Sequence, residues 1–390
     1  MLSNVLERRI ARPKLTHEEE LLISAVQRLA HESIAPRAAE YDRTAAFPWE
    51  NIREINELGL NGVFIPEQYG GSPLSYLCYL ECVLELSRAC ASTGITWATN
   101  FHAMKPVIDF GNEQQKSRFL PRMTEGGLAS LAITEPDAGS DARGMKTTFS
   151  AAGDSIVIRG SKCFITNGDV ADLLLLFGKW DGPGAAKDAI SVLILEKGTS
   201  GLRWLRNEDK LGTRASSTSA LSFDDCRVPL TNLLGQPGDG LKILFGSLNK
   251  SRPSIAAHAL GITRAALDDG IEYLNQRRQS GRRLLEFQGM QFMLADLVAE
   301  YILCESFLWR LGEGVDAGAT EFGTEASILK LRASDLAMRA TTDLVQMYGG
   351  YGYCRGYRAE RLMRDAKITQ IWEGTNQIHR QLIGRSFLSK

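Results

Sequence analysis

The sequence lacks both a charge imbalance and a long apolar segment, and each absence argues against a class of function. Its 45 Lys and Arg nearly balance its 46 Asp and Glu, so a formal net charge of -1 gives no global basic field to attract nucleic acid. The longest apolar run, residues 173–177, is strand-sized and far below the roughly 20 residues that span a bilayer. The first residues also lack the apolar stretch of a secretory signal. We therefore expect a cytoplasmic protein that binds neither membrane nor nucleic acid.

Paired cysteines and metal-ligand spacings are missing as well. The seven cysteines are an odd number and include no Cys-x-x-Cys pair, which predicts free, buried thiols in a reducing compartment. The five histidines include no His-Glu-x-x-His or other zinc-type spacing. We therefore expect no metal site.

What the chain does contain is a change of periodicity from helices to strands and back. A capping-box pattern, Thr16 followed by Glu19, precedes apolar residues at helical spacing. From about residue 130, short β-branched and aliphatic runs alternate with Gly, Asp and Pro. Longer helices with a broad apolar face return beyond residue 240. This order predicts an α+β chain with three domains: N-terminal helices (1–130), a small β-barrel or sandwich (131–240) and a helical bundle (241–390).

Two segments in the strand-rich region suit the binding of a flat polar ring. The stretch "LAITEPDAGSD", residues 131–141, combines a turn with hydroxyls and exposed N–H groups that can hold an anion or a ring edge. The stretch "GSKCFITNG", residues 160–168, places Phe164 and Thr166 on one strand face, with Ile165 opposite. An aromatic ring and a hydroxyl on one face can stack on a heteroaromatic ring and hydrogen-bond to it. Taken alone, an ordinary loop and a half-buried strand are the commoner explanations.

Three further segments lie in the C-terminal helical region. The stretch "RRQSGRRLLEFQ", residues 277–288, is a Gly-containing loop with four arginines, whose planar groups bind phosphates well. The stretch "LVQMYGGYGYCRGY", residues 344–357, has glycines that allow a ligand to approach the backbone. The stretch "KITQIWEGTNQIHR", residues 367–380, places one carboxylate, Glu373, between an aromatic residue and a Gly-Thr step. That last pattern is typical of an ordinary turn or of a desolvated catalytic base.

The ordered series "ITEPDAGSD", "KCFITNG", "QMYGGYGY" and "MRDAKITQIWEGTNQI" resembles the acyl-CoA dehydrogenase family of flavoproteins, and the resemblance covers nearly the whole chain. It implies a fold with an N-terminal helical domain, a middle β-barrel and a C-terminal four-helix bundle. It also implies FAD bound between barrel and bundle, and a homotetramer built as a dimer of dimers. In such a tetramer a neighbouring subunit holds part of each FAD.

By matching motifs, the resemblance assigns FAD contacts to the loop, the strand, the arginine segment, the glycine segment and the turn after the carboxylate. These residues are Leu131, Ile133, Thr134, Ser140, Phe164, Ile165, Thr166, Arg277, Gln288, Gln346, Gly349, Gly350, Thr375, Asn376 and Gln377. Arg277 matches the arginine that reaches the FAD of a partner subunit. Ser280 replaces an aromatic residue that is usual beside it, which puts the packing near that FAD in doubt.

Substrate contacts follow in the same way. Ser140, Trp372 and Gly374 would lie near the acyl-CoA, while Asn249 and Arg252 would contact its CoA portion or order the active-site helix. Asn249 replaces an acid found in some members of the family. The resemblance places the catalytic base at Glu373. In a minority of the family the base stands on the helix around "NKSRP", where this chain has Ser251, which cannot serve as a base.

The activity that the resemblance implies is α,β-dehydrogenation of an acyl-CoA to the 2,3-enoyl-CoA. Glu373 would take the α-proton, and a hydride would pass from the β-carbon to flavin N5. The thioester carbonyl would accept hydrogen bonds from the Glu373 N–H and the FAD ribityl chain, and an electron-transfer flavoprotein would take the electrons. The alternatives are a related flavoprotein that acts on a carrier-protein-bound acyl group or uses oxygen, and a catalytically silent FAD-binding member.

The sequence does not specify the acyl chain. The helix over residues 95–106 would form the pocket floor, and its bulky and polar side chains favour a short, branched or functionalised acyl group if they face the pocket. These side chains are Trp97, Asn100, Phe101, His102 and Lys105.

Overall fold

The computed structural model describes residues 13–186 and 189–388, and it confirms the α+β order of helices, strands and helices. The first helix begins at the predicted capping box. Thr16 Oγ1 accepts a hydrogen bond from the Glu19 amide at 3.3 Å, and Glu19 Oε2 accepts one from the Thr16 amide at 2.8 Å. The N-terminal helices are α1 (His17–Leu29), α2 (Ala35–Thr44), α3 (Trp49–Glu57), α4 (Tyr76–Ala89), α5 (Ala91–Phe110), α6 (Glu113–Phe119) and α7 (Pro121–Thr124).

Helix α5 is the central element of the N-terminal region. Of its 20 residues, 16 are buried, because the helix is apolar on nearly every side and other elements surround it. It packs against α4, against the first strand of the sheet and against the long helix that begins the C-terminal region. Residues on α5 can therefore contact all three parts of the chain.

The middle region is an eight-stranded sheet. Its strands are β1 (Ala129–Ala132), β2 (Thr148–Ala152), β3 (Ser155–Thr166), β4 (Leu173–Asp181), β5 (Ile190–Glu196), β6 (Leu202–Asn207), β7 (Thr218–Pro229) and β8 (Leu233–Leu234). Hydrogen-bonded neighbours run in the order β6-β7-β3-β2-β4-β5-β8, and β1 joins β4 in parallel. The expected β domain is confirmed. Its pairing is an open path in the described residues, because two-residue β8 forms no ladder with the exposed edge strand β6 to close a barrel.

Strand β4 is buried on both faces. Leu173, Leu175 and Phe177 belong to an apolar cluster that includes residues of α5, whereas Leu174 and Leu176 belong to a second cluster within the sheet. This explains why residues 173–177 form the longest apolar run of the chain, since a strand covered on both sides shows no alternation. The sheet is thereby fixed against α5.

The C-terminal region is helical, as expected. In the described residues it comprises three long helices, α8 (Gly240–Gln276), α9 (Gln288–Asp316) and α10 (Gly323–Tyr348), and two shorter ones, α11 (Arg358–Lys367) and α12 (Asn376–Arg385). A small hairpin of β9 (Arg278–Gln279) and β10 (Arg282–Arg283) connects α8 to α9. With 37 residues, α8 is about 55 Å long. It packs against α4, α5, α9 and α10, so the N-terminal and C-terminal helices share one apolar core.

The structure also bears on the expected state of the cysteines and on membrane-spanning helices. All seven cysteines are free thiols, and six of them are buried, but Cys354 is exposed. Cys354 lies in the irregular segment after α10, where no helix or strand covers it. Among the described residues, no helix is both long enough and apolar enough to cross a membrane.

Candidate active site

Glu373 lies in a tight turn between two short helical segments. Its backbone is left-handed, with φ of +53°, and Gly374 follows with φ of +97°. The left-handed region is unfavourable for a residue with a side chain, so a glutamate there is held by its surroundings. Thr375 then caps α12, its hydroxyl accepting a hydrogen bond from the Ile378 amide at 3.3 Å.

The Glu373 carboxylate is bound by Ser251 of α8. Ser251 Oγ donates to Glu373 Oε2 at 2.6 Å, and Ser251 is almost fully buried. The sequence indicated that Ser251 is not a base, and we made no prediction that it contacts Glu373. The resemblance nevertheless held a signal for this contact, because it implies two alternative positions for one base, and two positions that serve one role must lie close together.

Buried cations surround this turn. Lys330 of α10 donates to the Gly374 carbonyl at 2.7 Å and to Asn376 Oδ1 at 3.0 Å. Arg252 of α8 is buried, and its Nε has no hydrogen-bond partner among the described residues. Burial lowers the pKa of Lys330 to about 7 and also lowers the pKa of Arg252. The negative charge of Glu373 opposes both shifts, so the three groups are electrostatically linked.

Two further side chains complete the surroundings of the turn. His379 of α12 is buried, neither ring nitrogen has a partner among the described residues, and burial lowers its pKa to about 3. It is therefore a neutral imidazole at ordinary pH. Trp372 packs against His258 of α8 with ring centroids 5.4 Å apart, and its buried indole N–H has no partner in the part of the chain that the structure describes.

The expected pocket floor on α5 is only partly in place. Phe101 stacks on Tyr79 of α4 at 4.2 Å, and His102 Nε2 lies 3.0 Å from Ser254 Oγ of α8. The polar groups of the other three expected residues have partners of their own. Trp97 donates to Asn61, Asn100 accepts from the Ala129 amide, and Lys105 pairs with Asp109. The ring of Trp97 also lies 5.4 Å from that of Tyr79, and the place of these three side chains in the floor stays a prediction.

The loop after β1 and the strand β3 lie side by side. The Cys163 amide donates to the Thr134 carbonyl at 3.0 Å, and Ser130 Oγ donates to the Thr166 carbonyl at 2.6 Å. A buried ion pair, Lys162 Nζ to Glu135 Oε1 at 2.8 Å, fixes the start of the loop to the strand. The structure therefore brings the two central motifs together.

A bulge in β3 exposes an aromatic surface at this point. Phe164 is left-handed, with φ of +57°, and 63% exposed, whereas Ile165 is buried and Thr166 is half-buried. The register of β3 against β7 shifts between Lys162 and Ile165, as a bulge requires. Phe164 and Thr166 are thus more accessible than Ile165 between them, and their contact with a flavin ring stays a prediction. Of the loop residues, Leu131, Ile133 and Thr134 are half-buried and Ser140 is exposed.

Helix α5 connects this surface to the Glu373 turn. Asn167, just after β3, donates to the Thr96 carbonyl at 3.0 Å, and His102 lies six residues further along the helix beside Ser254. Six residues span about 9 Å. Ser254 is one helical turn beyond Ser251, which binds Glu373. Helix α5 therefore contacts both the segment that follows strand β3 and the helix that carries Ser251.

Four more of the predicted residues, Arg277, Gln346, Gly349 and Gly350, form a second group at the far end of α8. A cavity of about 440 Å³ is lined by Tyr273, Arg277, Gln279, Leu284, Gln346, Met347, Tyr348, Gly349, Gly350, Tyr351 and Cys354. Arg277 is 25 residues beyond Arg252, which is about 37 Å along the helix. Gln288 and Gln377 are exposed and do not line this cavity. One bound molecule in one chain cannot contact both Arg277 and Glu373.

Both groups have donor sets that fit parts of FAD. The cavity offers an arginine for phosphate, the stacked rings of Tyr273 and Tyr348 at 3.9 Å, and the glycines 349 and 350, beside which a Cβ would meet open space. Such a set suits an adenine ring and a pyrophosphate. The Phe164 surface suits the flavin ring, through stacking and the Thr166 hydroxyl. Together these features indicate a flavin-dependent enzyme.

Comparison with known proteins identifies the family. Residues 16–127, 130–226 and 238–388 match the N-terminal, middle and C-terminal domain models of acyl-CoA dehydrogenase. The chain belongs to the acyl-CoA dehydrogenase family, whose members are oxidoreductases with FAD as the cofactor. An acyl-CoA dehydrogenase of Bacillus subtilis is 40% identical over 376 residues, which are 96% of this chain and 99% of that protein.

Solved structures agree with this assignment. Butyryl-CoA dehydrogenase from Megasphaera elsdenii is similar with a TM-score of 0.93 and 38% identity, covering 97% of this chain and 100% of that one. An acyl-CoA dehydrogenase complexed with FAD from Bacillus anthracis is similar with a TM-score of 0.88 and 32% identity, covering 96% of this chain and 67% of that one.

Proposed function

We propose that this enzyme dehydrogenates an acyl-CoA thioester to the 2,3-enoyl-CoA, with Glu373 as the base that takes the α-proton. The observation that carries the proposal is the carboxylate itself. It is held in a left-handed turn, bound by Ser251 and flanked by buried cations. A surface glutamate in an ordinary turn needs none of these supports.

The chain's own groups account for proton removal. A thioester α-C–H is a very weak acid, so the base must be oriented and the charge that develops on the carbonyl oxygen must be stabilised. The Glu373 backbone N–H is the donor for that oxygen, and the loss of such a donor typically costs about 3–4 kcal/mol of transition-state stabilisation. Bound substrate excludes water from the carboxylate, which strengthens it as a base. When bound, FAD supplies the acceptor for the β-hydride at its N5.

We further propose that the acyl group is short. Along α8 beyond Ser251, the space between α4, α5 and α8 is filled by Tyr79, Phe101, His102 and Ser254, all of which are buried. A long acyl chain would have to displace this packed group. The similarity to a butyryl-CoA dehydrogenase supports the same conclusion.

Three more residues bear on how the CoA portion of the substrate binds. Ser140 is exposed on the loop after β1 and can contact CoA. Arg252 is buried, so it is better suited to ordering its own helix, α8, at the active site. Asn249 lies beside the start of α10, where a Cβ on Gly323 would be 3.0 Å from its Oδ1.

We propose a homotetramer in which Arg277 completes the FAD site of a partner subunit, since it lies too far along α8 from its own Glu373. An electron-transfer flavoprotein is the proposed electron acceptor.

Anaerobic titration of the purified enzyme with acyl-CoAs from C3 to C16 tests this function. We expect loss of the yellow flavin absorbance with a short acyl-CoA and none with C16. Glu373→Gln should retain FAD and show no bleaching. If no acyl-CoA bleaches the flavin, the proposal is wrong, and the same acyl groups on a carrier protein, or oxygen consumption, then test the alternatives.

A further inference from the structure

One face of α10 holds the catalytic turn from both sides. Before the turn, Gln370 Nε2 donates to Asp335 Oδ1 at 2.7 Å. After it, Asn376 Nδ2 donates to the same oxygen at 2.7 Å and to Ser334 Oγ at 2.9 Å. One helical turn earlier on α10, Lys330 reaches the Gly374 carbonyl, within the turn itself. The position of Glu373 is therefore set by α10 as well as by α8.

Lys330 is an unusual residue for this position. It is fully buried, and among the described residues no carboxylate lies within the 4.0 Å of an ion pair with its ammonium group. Taking an ammonium group out of water costs several kcal/mol when no ion pair compensates. An apolar side chain would fill the same space at lower cost. A lysine at this position is explained if the Lys330 N–H groups perform a task that an apolar group cannot perform.

That task follows from the two contacts of Lys330 Nζ. The start of α12 is already held through Asn376 by Ser334 and Asp335, so Lys330 is not required to anchor that helix. The Gly374 carbonyl is different, because it belongs to the peptide directly after the glutamate. Glu373 has a left-handed backbone, which strains a residue with a side chain, whereas Gly374 adopts its positive φ without strain. Strain of the kind at Glu373 persists only where contacts fix it.

We propose that Lys330 is a positioning residue for α-proton removal: by binding the Gly374 carbonyl, it fixes the turn in which the Glu373 carboxylate meets Ser251 and the substrate. This proposal rests on the proposed role of Glu373 as the base. Lys330 touches neither substrate nor cofactor in it and acts through the backbone. The linkage of Lys330 to Glu373 and Arg252 through charge is consistent with this proximity.

The test compares Lys330→Met with Leu336→Ala, which opens a cavity at a buried position of the same helix. The readouts are melting temperature, bound FAD, kcat and KM with the bleaching acyl-CoA, and deuterium uptake by acetyl-CoA in D2O. Acetyl-CoA has α-protons but no β-carbon, so its exchange reports proton removal without dehydrogenation. We expect Lys330→Met to retain FAD and KM while exchange and kcat fall about 100-fold, the usual effect of misplacing a catalytic group by about 1 Å. Leu336→Ala should lose stability and keep both rates within about 3-fold.

Each outcome decides the question. Wild-type rates in folded Lys330→Met overturn the proposal, and so do losses in both variants that simply follow melting temperature. If Lys330→Met fails to fold, Lys330→Gln takes its place in the comparison. Because glutamine keeps a hydrogen-bond donor, this variant should retain part of the wild-type rate only if the hydrogen bond to the Gly374 carbonyl matters. Wild-type exchange in Glu373→Gln would instead show that Glu373 is not the base, which is a failure of the proposed function and not of Lys330 alone.

Discussion

Ser251 Oγ and Glu373 Oε2 are 2.6 Å apart, although the two residues are separated by 122 positions in the chain. Ser251 lies on the long helix α8, and Glu373 lies in the turn before α12. Their side chains reach one point from two independent elements. A carboxylate carried by either element could therefore act on a substrate placed at that point.

This convergence predicts that the base can be moved. Glu373→Gly removes the carboxylate and relieves the left-handed strain, and it should lower kcat by about 10²- to 10⁴-fold, the range for a general base. Adding Ser251→Glu should restore at least 10-fold of that loss. The measurement is the rate of flavin bleaching by the best acyl-CoA. Ser251→Gln in the same background is the control, since it has similar volume and no basic carboxylate. Equal rates with Glu and Gln at position 251 would contradict the prediction.

The distance between Arg277 and Glu373 predicts complementation between subunits. Arg277→Met should lose FAD, and Glu373→Gln should lose activity, so each homo-oligomer should be inactive. In a mixed oligomer, the Arg277→Met subunit supplies Glu373 and its partner supplies Arg277. About a quarter of the sites in a random mixture would then be complete. The two variants should be co-expressed with different tags, and the doubly tagged fraction assayed for bleaching.

The control for complementation is a co-expressed mixture of Glu373→Gln with a variant that combines both substitutions. In that mixture no subunit carries Glu373, so activity should be absent. Activity in the first mixture but not in the control supports a shared site. No activity in either mixture, with FAD bound, would show that Arg277 serves its own subunit.

The sequence predicted more of the fold than of the site. Periodicity was sufficient for the order of helices and strands, and the motifs marked Glu373 and the Phe164 strand as candidate site residues. The contact of Lys330 with the Gly374 carbonyl was not predictable, because it joins a helix to a turn that lies 44 positions further along the chain. The polar partners of Trp97, Asn100 and Lys105 were not predictable for a related reason. Helical spacing shows which residues share a face but not which polar partners lie opposite them.

The buried pair of Lys162 and Glu135 predicts that the loop after β1 contributes to the stability of the folded protein. Lys162 Nζ also donates to the Ile133 carbonyl at 2.7 Å, so Lys162→Met leaves a buried carboxylate and a free carbonyl. We expect a loss of about 3–5 kcal/mol in the free energy of unfolding and weaker FAD retention. Adding Glu135→Gln should recover part of the loss, because it removes the unpaired charge but keeps an acceptor.

The control for that pair is Lys146→Met, whose exposed contact with Asp137 should contribute less than about 1 kcal/mol. Urea unfolding and FAD content after gel filtration provide the measurements. If Lys162→Met and Lys146→Met cost the same, the buried pair does not fix the loop.

Asp365 predicts a specific pH dependence of stability. This residue of α11 is buried, its Oδ1 accepts a hydrogen bond from the Thr213 amide at 2.5 Å, and burial raises its pKa from 3.8 to about 6. Nearby Asp42 acts in the same direction, while Arg361 and Arg364 oppose it. The folded state therefore binds more protons than the unfolded state between pH 3.8 and about 6. The stability contributed by this group is complete below pH 3.8 and is lost as the pH rises through about 6.

Asp365→Asn should remove that dependence, because the amide oxygen can still accept from Thr213 and does not ionise. Other carboxylates titrate in both proteins, so the informative quantity is the difference in the free energy of unfolding between variant and wild type. That difference should shift in favour of the variant by up to about 3 kcal/mol between pH 4 and pH 7, since each pKa unit corresponds to about 1.4 kcal/mol. Urea unfolding at four pH values gives the curve. A constant difference at all four would mean that Asp365 ionises in the folded protein as it does in the unfolded chain.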